Sequence, residues 1–150
     1  MHTFSTLPAA EGFRMPAEYE PHRGCVMIWP VRPGSWLYGG RDAQPAFAQA
    51  ARAIAESETV WMLAGPADAD AVRAAFAMDE NIHVLTIETD DAWARDVGPT
   101  CVVDDHGTVR GVDWQFNAWG GMVDGLYAHW EKDNAAARAI CAALGMDCYD

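Results

Sequence analysis

Between residues 25 and 88, short apolar runs alternate with stretches of helical period. No other feature of the sequence constrains the fold as much. Residues 25–29 form a compact apolar run stopped by Pro30, which reads as a buried strand. In residues 43–57, Phe47, Ala50, Ala51 and Ile54 recur on one face of a helix. Residues 59–64 read as a second strand, ended by Gly65-Pro66. Residues 67–78 read as a second helix, with Asp68 and Asp70 in its first turn, where the helix dipole favours anions. Residues 82–88 close the series as a third strand. Strand, helix, strand, helix, strand is the order of an α/β protein.

After residue 88 the pattern changes. Residues 99–104 and 108–116 are rich in β-formers and joined by Asp105-His106-Gly107, so a hairpin is predicted. Residues 117–124 read as a glycine-rich loop carrying Trp119. Residues 131–144 read as a third helix, with Ala137, Ile140, Cys141 and Leu144 on one face and Gly145 as its stop. Residues 147–150 look like the start of another strand. At the other end, Pro8, Gly12, Pro16 and Pro21 punctuate residues 1–20, which are expected to be an extended lead-in. Residues 31–41 hold Pro33, Gly34, Gly39 and Gly40 and form a loop, and its aromatics Trp36 and Tyr38 mark it as packed or ligand-binding. A hairpin beside α/β units, and a last segment that opens a strand, lead to the expectation of a truncated protein. A small complete domain is the alternative.

Composition narrows the function classes. With 150 residues the chain is one domain or part of one. Hydrophobic residues at 51% and charged ones at 21% exclude a disordered, collagen-like or coiled-coil chain. No apolar stretch approaches the ~18 residues of a membrane span, and the N-terminus lacks the layout of a secretory signal. The formal charge of −12 repels a nucleic-acid backbone and attracts small cations. Cys25, Cys101, Cys141 and Cys148 form no Cys-x-x-Cys and no Cys–His pattern of zinc spacing, and are read as reduced thiols. A cytoplasmic protein without metal or cofactor is expected, with neither nucleic acid nor membrane as partner and oligomerisation left open.

The most informative stretch for chemistry is residues 89–99, Thr-Asp-Asp-Ala-Trp-Ala-Arg-Asp-Val-Gly-Pro. It follows a predicted strand and is expected to be a loop at that strand's carboxyl end, where α/β folds carry their sites. Three Asp, one Arg and one Trp fall within residues 90–96. A solvated acidic loop is one reading. A Trp exposed beside the acids favours another, a receptor for a flat cation. A carboxylate accepts two parallel N–H bonds from a guanidinium, and an indole face adds a stacking contact of about 0.5–2 kcal/mol.

Several strings, in order along the chain, carry a family resemblance. They are Met15-Pro16-Ala17-Glu18-Tyr19-Glu20-Pro21-His22, Trp29-Pro30, Asp91-Ala92-Trp93-Ala94-Arg95-Asp96-Val97-Gly98-Pro99-Thr100, Phe116-Asn117-Ala118-Trp119-Gly120-Gly121, Tyr127 and Trp130. Over residues 13–150 the sequence resembles the N-terminal part of the agmatine deiminases, in the peptidylarginine-deiminase-like superfamily. The resemblance implies a pseudo-fivefold α/β propeller of ββαβ units around a central site, of which residues 1–150 would be about two blades and a truncated part of one domain. It implies hydrolysis of the guanidine group of agmatine to N-carbamoylputrescine and ammonia, in putrescine biosynthesis. A Cys would be the nucleophile, a His the general acid/base, and carboxylates would grip the guanidinium. Carried onto this sequence, the family's Trp-x-x-Asp matches Trp93 and Asp96. Asp96 would hold the guanidinium as a catalytic and substrate-binding residue, Trp93 would wall the pocket, and Trp119 is a further substrate-binding candidate. The roles of Asp90, Asp91 and Asn117 stay open.

The sequence departs from the family in one respect. The family's second carboxylate in a Glu-Gly-Gly-type segment, its catalytic His, and its Cys in an Asn-Ile-His-Cys-type segment have no matching string here. His83 lies in a strand pattern and His106 in a turn. His22 and Cys25 are three residues apart, but Cys25 opens a buried-type strand and is read as structural. The chain by itself is therefore expected to lack activity. The alternatives are a non-catalytic binding remnant, or a deiminase acting on arginine or peptidylarginine.

Overall fold

The computed structural model describes Met1–Asp150. In chain order its elements are β1 (Thr3–Phe4), β2 (Gly24–Ile28), α1 (Gln44–Ala55), β3 (Thr59–Ala64), α2 (Ala69–Ala75) and β4 (Ile82–Thr86). They continue with α3 (Ala94–Val97), β5 (Thr100–Val103), β6 (Val109–Val112), α4 (Gly121–Asp124), α5 (Glu131–Ala143) and β7 (Asp147–Tyr149). Two units form: His22–Ala94, and Met1–Pro21 with Arg95–Asp150. The α/β class expected from the sequence is the class observed.

The unit His22–Ala94 is a three-stranded parallel sheet in the order β2-β3-β4. Parallel neighbours need crossovers, and α1 and α2 supply them. The strands read as apolar runs because both the helices and neighbouring strands cover them. Val60, Met62 and Ala64 of β3 point into a core with Ala51, Val72, Phe76 and Ile82, and Met27, Trp29 and Ile54 pack on its margin. Fully burying a large aliphatic or aromatic side chain is worth about 1.5–3 kcal/mol, and this cluster supplies such burial to the unit. The Trp29 N–H donates to the Leu63 carbonyl at 2.9 Å and extends the ladder past β2. The second helix is shorter than the predicted 67–78, because Asp68 is its cap and the chain leaves helical geometry at Phe76.

The second unit is a four-stranded mixed sheet in the order β1-β7-β6-β5. β5 and β6 form the predicted antiparallel hairpin. Its turn is fixed by Asp104, whose Oδ1 accepts the backbone N–H of His106 at 2.9 Å and of Thr108 at 2.8 Å. Gly107 takes the left-handed backbone (φ +80°) that the turn requires. α5 crosses from β6 to the parallel β7, burying Ala136, Ala137, Ile140 and Cys141.

Three local expectations need correction. Residues 1–20 are more than an extended lead-in. β1 pairs in parallel with β7, and Pro8–Glu11 forms a 3-10 turn. Residues 117–124 include the helical turn α4, and residues 89–99 include α3. Each of these pieces is two to four residues long, too short to show a period. β7, which the sequence shows only as an opening strand, is an interior strand with β1 on one side and β6 on the other.

The N-terminal segment is tied in by a buried-edge ion pair. The Arg110 guanidinium lies 4.0 Å from the Phe4 ring centre and 4.4 Å from that of Phe13. It pairs with Glu11 Oε2 at 2.5 Å and donates to the Tyr149 hydroxyl at 2.6 Å.

Candidate functional site

Asp96 lies on the one-turn helix α3, anchored by Val97, which is buried beneath it. The carboxylate is exposed, and its Oδ1 accepts the indole N–H of Trp119 at 3.2 Å. Trp119 is half-exposed and reaches Asp96 because its backbone is unusual. Ala118 (φ +54°) and Trp119 (φ +64°) both occupy the left-handed region. Each such non-glycine residue costs roughly 1–3 kcal/mol and persists only where the surroundings enforce it.

The enforcing contacts are visible. Ala118 is fully buried, and its carbonyl accepts the Leu126 N–H at 2.9 Å. Phe116 meets the Trp119 ring edge-on at 5.1 Å, and Tyr127 does so at 6.4 Å. Tyr127 is buried and donates its hydroxyl to the buried carboxylate of Asp133 on α5. The Phe116 N–H donates to Asn134 Oδ1 at 2.7 Å. The chain from α5 through Tyr127 to Trp119 thus aims one indole at one carboxylate. Asp133 and Asn134 escaped sequence reading because they sit in a helix whose polar residues look like a solvated first turn.

The acids before Asp96 behave differently. Asp91 is buried. It accepts the Trp36 indole N–H at 2.9 Å, the Ala92 N–H at 2.8 Å and the Ser35 hydroxyl. Its carboxylate is therefore a fastening between residues 35–36 and the segment after β4. The Asp90 carbonyl accepts from Arg32 at 3.3 Å. Trp36 also meets Phe47 of α1 edge-on at 5.3 Å. Of the two readings of the 31–41 loop, packing holds for Trp36, while Tyr38 stays exposed.

Trp93 is half-buried, where the sequence led us to expect an exposed ring. It packs against Trp36 with ring centres 6.3 Å apart. Trp93 and Asp96 belong to different units. The structure brings Asp96 together with Trp119, a pairing that the sequence left unspecified.

The four cysteines are free thiols. Burial pushes the Cys25 thiol up, and the neighbouring Glu58 carboxylate adds to that. Cys141 and Cys148 are buried and raised by desolvation. Cys101 is exposed as a residue, yet desolvation of its sulfur raises it too. An activated nucleophile needs the opposite shift.

Residues 14–150 match the Porphyromonas-type peptidyl-arginine deiminase family. The chain belongs to that family. Among its relatives, the agmatine deiminase of Pseudomonas aeruginosa is 53% identical over 136 residues, which are 91% of this chain and 37% of the relative. The agmatine deiminase of Ectopseudomonas mendocina is 48% identical over 149 residues, 99% of this chain and 40% of the relative. Among solved structures, the agmatine deiminase of Enterococcus faecalis superposes with a TM-score of 0.91 at 43% identity, covering 97% of this chain and 39% of that one. The chain thus spans about 40% of the length of the family members it matches, and within that span its fold is theirs.

Proposed function

We propose that this chain is the guanidinium-holding N-terminal part of a hydrolase that converts agmatine to N-carbamoylputrescine and ammonia, in putrescine formation. The supporting observation is the exposed Asp96 carboxylate, held by the Trp119 indole on a backbone that is locally strained. A carboxylate has room for about four hydrogen bonds, so the Trp119 contact leaves acceptor capacity for two parallel guanidinium N–H groups. The indole N–H orients the carboxylate and does not neutralise it. Relatives named agmatine deiminase support the choice of substrate. A net charge of −12 suits dicationic agmatine better than zwitterionic arginine. The aromatic role of Trp93 is kept on the strength of its motif.

In this reading the chain binds and orients, and the attacking thiol comes from outside residues 1–150. All four of its own thiols are raised, which supports a chain that is inactive alone. The central-site propeller, with this chain supplying about two blades of one domain, follows from the family resemblance.

The test is made in a full-length enzyme that contains this segment. Asp96→Asn keeps shape and removes charge. A lost charge-assisted hydrogen bond of about 1.5–3 kcal/mol lowers kcat/KM for agmatine by roughly one to two orders of magnitude, with Tm unchanged. Wild-type kcat/KM in the Asp96→Asn enzyme removes the assignment. Arginine turned over faster than agmatine by the unsubstituted enzyme transfers the reading to the arginine-acting alternative.

A further inference from the structure

At the amino-terminal ends of β2 and β3, three side chains of metal-binding type converge. They are His22, Cys25 and Glu58. The ends of the strands are drawn together by Gly24, where an added Cβ would lie 2.2 Å from the Thr59 carbonyl oxygen. That close approach seats Glu58, the residue before β3, beside the first residues of β2. His22 Nδ1 lies 2.5 Å from Glu58 Oε2, and Cys25 Sγ lies 3.4 Å from Glu58 Oε1. One ligand atom from each residue falls within 4.8 Å of the other two.

We propose that His22, Cys25 and Glu58 bind a single divalent transition-metal cation of borderline softness, zinc in type, through Nδ1, Sγ and a carboxylate oxygen. Zn–S and Zn–N bonds of about 2.3 and 2.0 Å place tetrahedral ligand atoms roughly 3.5 Å apart. The observed spread needs only side-chain rotation to reach that. The His22 side chain is half-exposed, whereas that of Glu58 is 16% exposed. The donor set of imidazole, thiolate and carboxylate suits zinc better than magnesium or calcium, which favour all-oxygen sites.

Charge supports the same reading. A thiol facing a half-buried carboxylate is an unfavourable pair once the thiol ionises. A dication balances both charges, and binding releases the Cys25 proton to solvent. The fourth position stays open to water. The cluster lies at the opposite ends of these strands from Trp29 and from the segment that carries Asp91 and Trp93. It is therefore distinct from the acidic loop. Sequence spacing missed it because Glu58 arrives through β-sheet pairing, 33 residues after Cys25.

The test uses the untagged, reduced 150-residue chain titrated with Co2+, then Zn2+. The expected result is a sulfur-to-cobalt charge-transfer band that saturates at one equivalent and is displaced by Zn2+. Cys25→Ser abolishes the band, with folding checked by circular dichroism without metal. Glu58→Gln and His22→Ala each weaken binding about tenfold or more. Cys101→Ser leaves it intact. A wild-type chain without the band, or a band that survives Cys25→Ser, overturns the proposal and leaves the cluster as a hydrogen-bonded clasp.

Discussion

Two aspartates five residues apart show how far a single side chain's role depends on partners the local sequence does not display. Asp91 and Asp96 share one acidic stretch, and apart from the Trp-x-x-Asp motif that singles out Asp96, the chemistry of the stretch does not rank them. The structure buries Asp91 under the Trp36 indole, the Ser35 hydroxyl and the Ala92 N–H, and leaves Asp96 exposed. The side-chain donors to Asp91 come from 55 and 56 residues earlier in the chain, beyond the reach of any local pattern. Asp91→Ala strands the half-buried Trp36 donor and is expected to lose about 1–3 kcal/mol by urea unfolding. Asp96→Asn is expected to stay within about 0.5 kcal/mol of the unsubstituted chain. Equal losses would make Asp96 a second fastening. A further residue-scale effect depends on acid. Glu20 accepts both Arg14 Nη groups, at 2.9 and 2.8 Å, and the Ala17 N–H at 2.7 Å. The Arg14 hydrogen bonds foremost lower its carboxyl from 4.5 to about 2. A lowered folded pKa stabilises above the ordinary value and is lost as pH falls. The pair's contribution is therefore present above about pH 4.5 and fades toward pH 2. Glu20→Gln should flatten that part of an acid-unfolding curve, and an unchanged curve would show the pair to be inert.

At the scale of elements, legibility follows length. α1, β3, α5 and the β5–β6 hairpin are long enough, or carry enough turn chemistry, for their period to show in the sequence. β1, α3 and α4 are two to four residues long and exist only because other parts of the chain hold them. The packing of α5 on the sheet is just as invisible in the sequence, and it is tight. A Cβ on Gly111 of β6 would stand 2.3 Å from Cys141 Sγ and 3.0 Å from Pro99 Cβ. Gly111→Ala should therefore cost about 1–3 kcal/mol from overpacking. Cys141→Ala removes the sulfur that the new methyl meets. The double variant should recover part of the loss, with a coupling of about 0.5 kcal/mol or more in a double-mutant cycle. Additive losses would mean that Pro99, and not α5, sets the fit.

At the scale of the whole molecule, the two units differ in how they are closed. The unit His22–Ala94 is assembled from neighbouring segments, so its order followed from the alternation in the sequence. The other unit joins the first residues of the chain to the last. The His2 N–H donates to Asp147 Oδ1 at 2.6 Å across 145 residues, and the Cys148 and Asp150 N–H groups donate to His2 and Phe4 carbonyls at 2.9 and 3.0 Å. Arg14 bridges to Val103, and Phe4, Glu11 and Phe13 enclose Arg110. No local signal in Thr3 or Phe4 announces a strand whose partner is 145 residues away. Deleting residues 1–13 opens the β7 edge and removes the Glu11 carboxylate from a guanidinium only 18% exposed. Arg110 loses its carboxylate and its aromatic cover together, and an interior strand turned into an edge loses one of its two ladders. Hydrogen exchange of the deletion variant should show protection lost across β5, β6 and β7 and kept across β2, β3 and β4, whose core draws on none of the deleted residues. Unchanged protection in β7 would show that α5 alone holds it, and the N-terminal strand would then be a covering rather than a structural member.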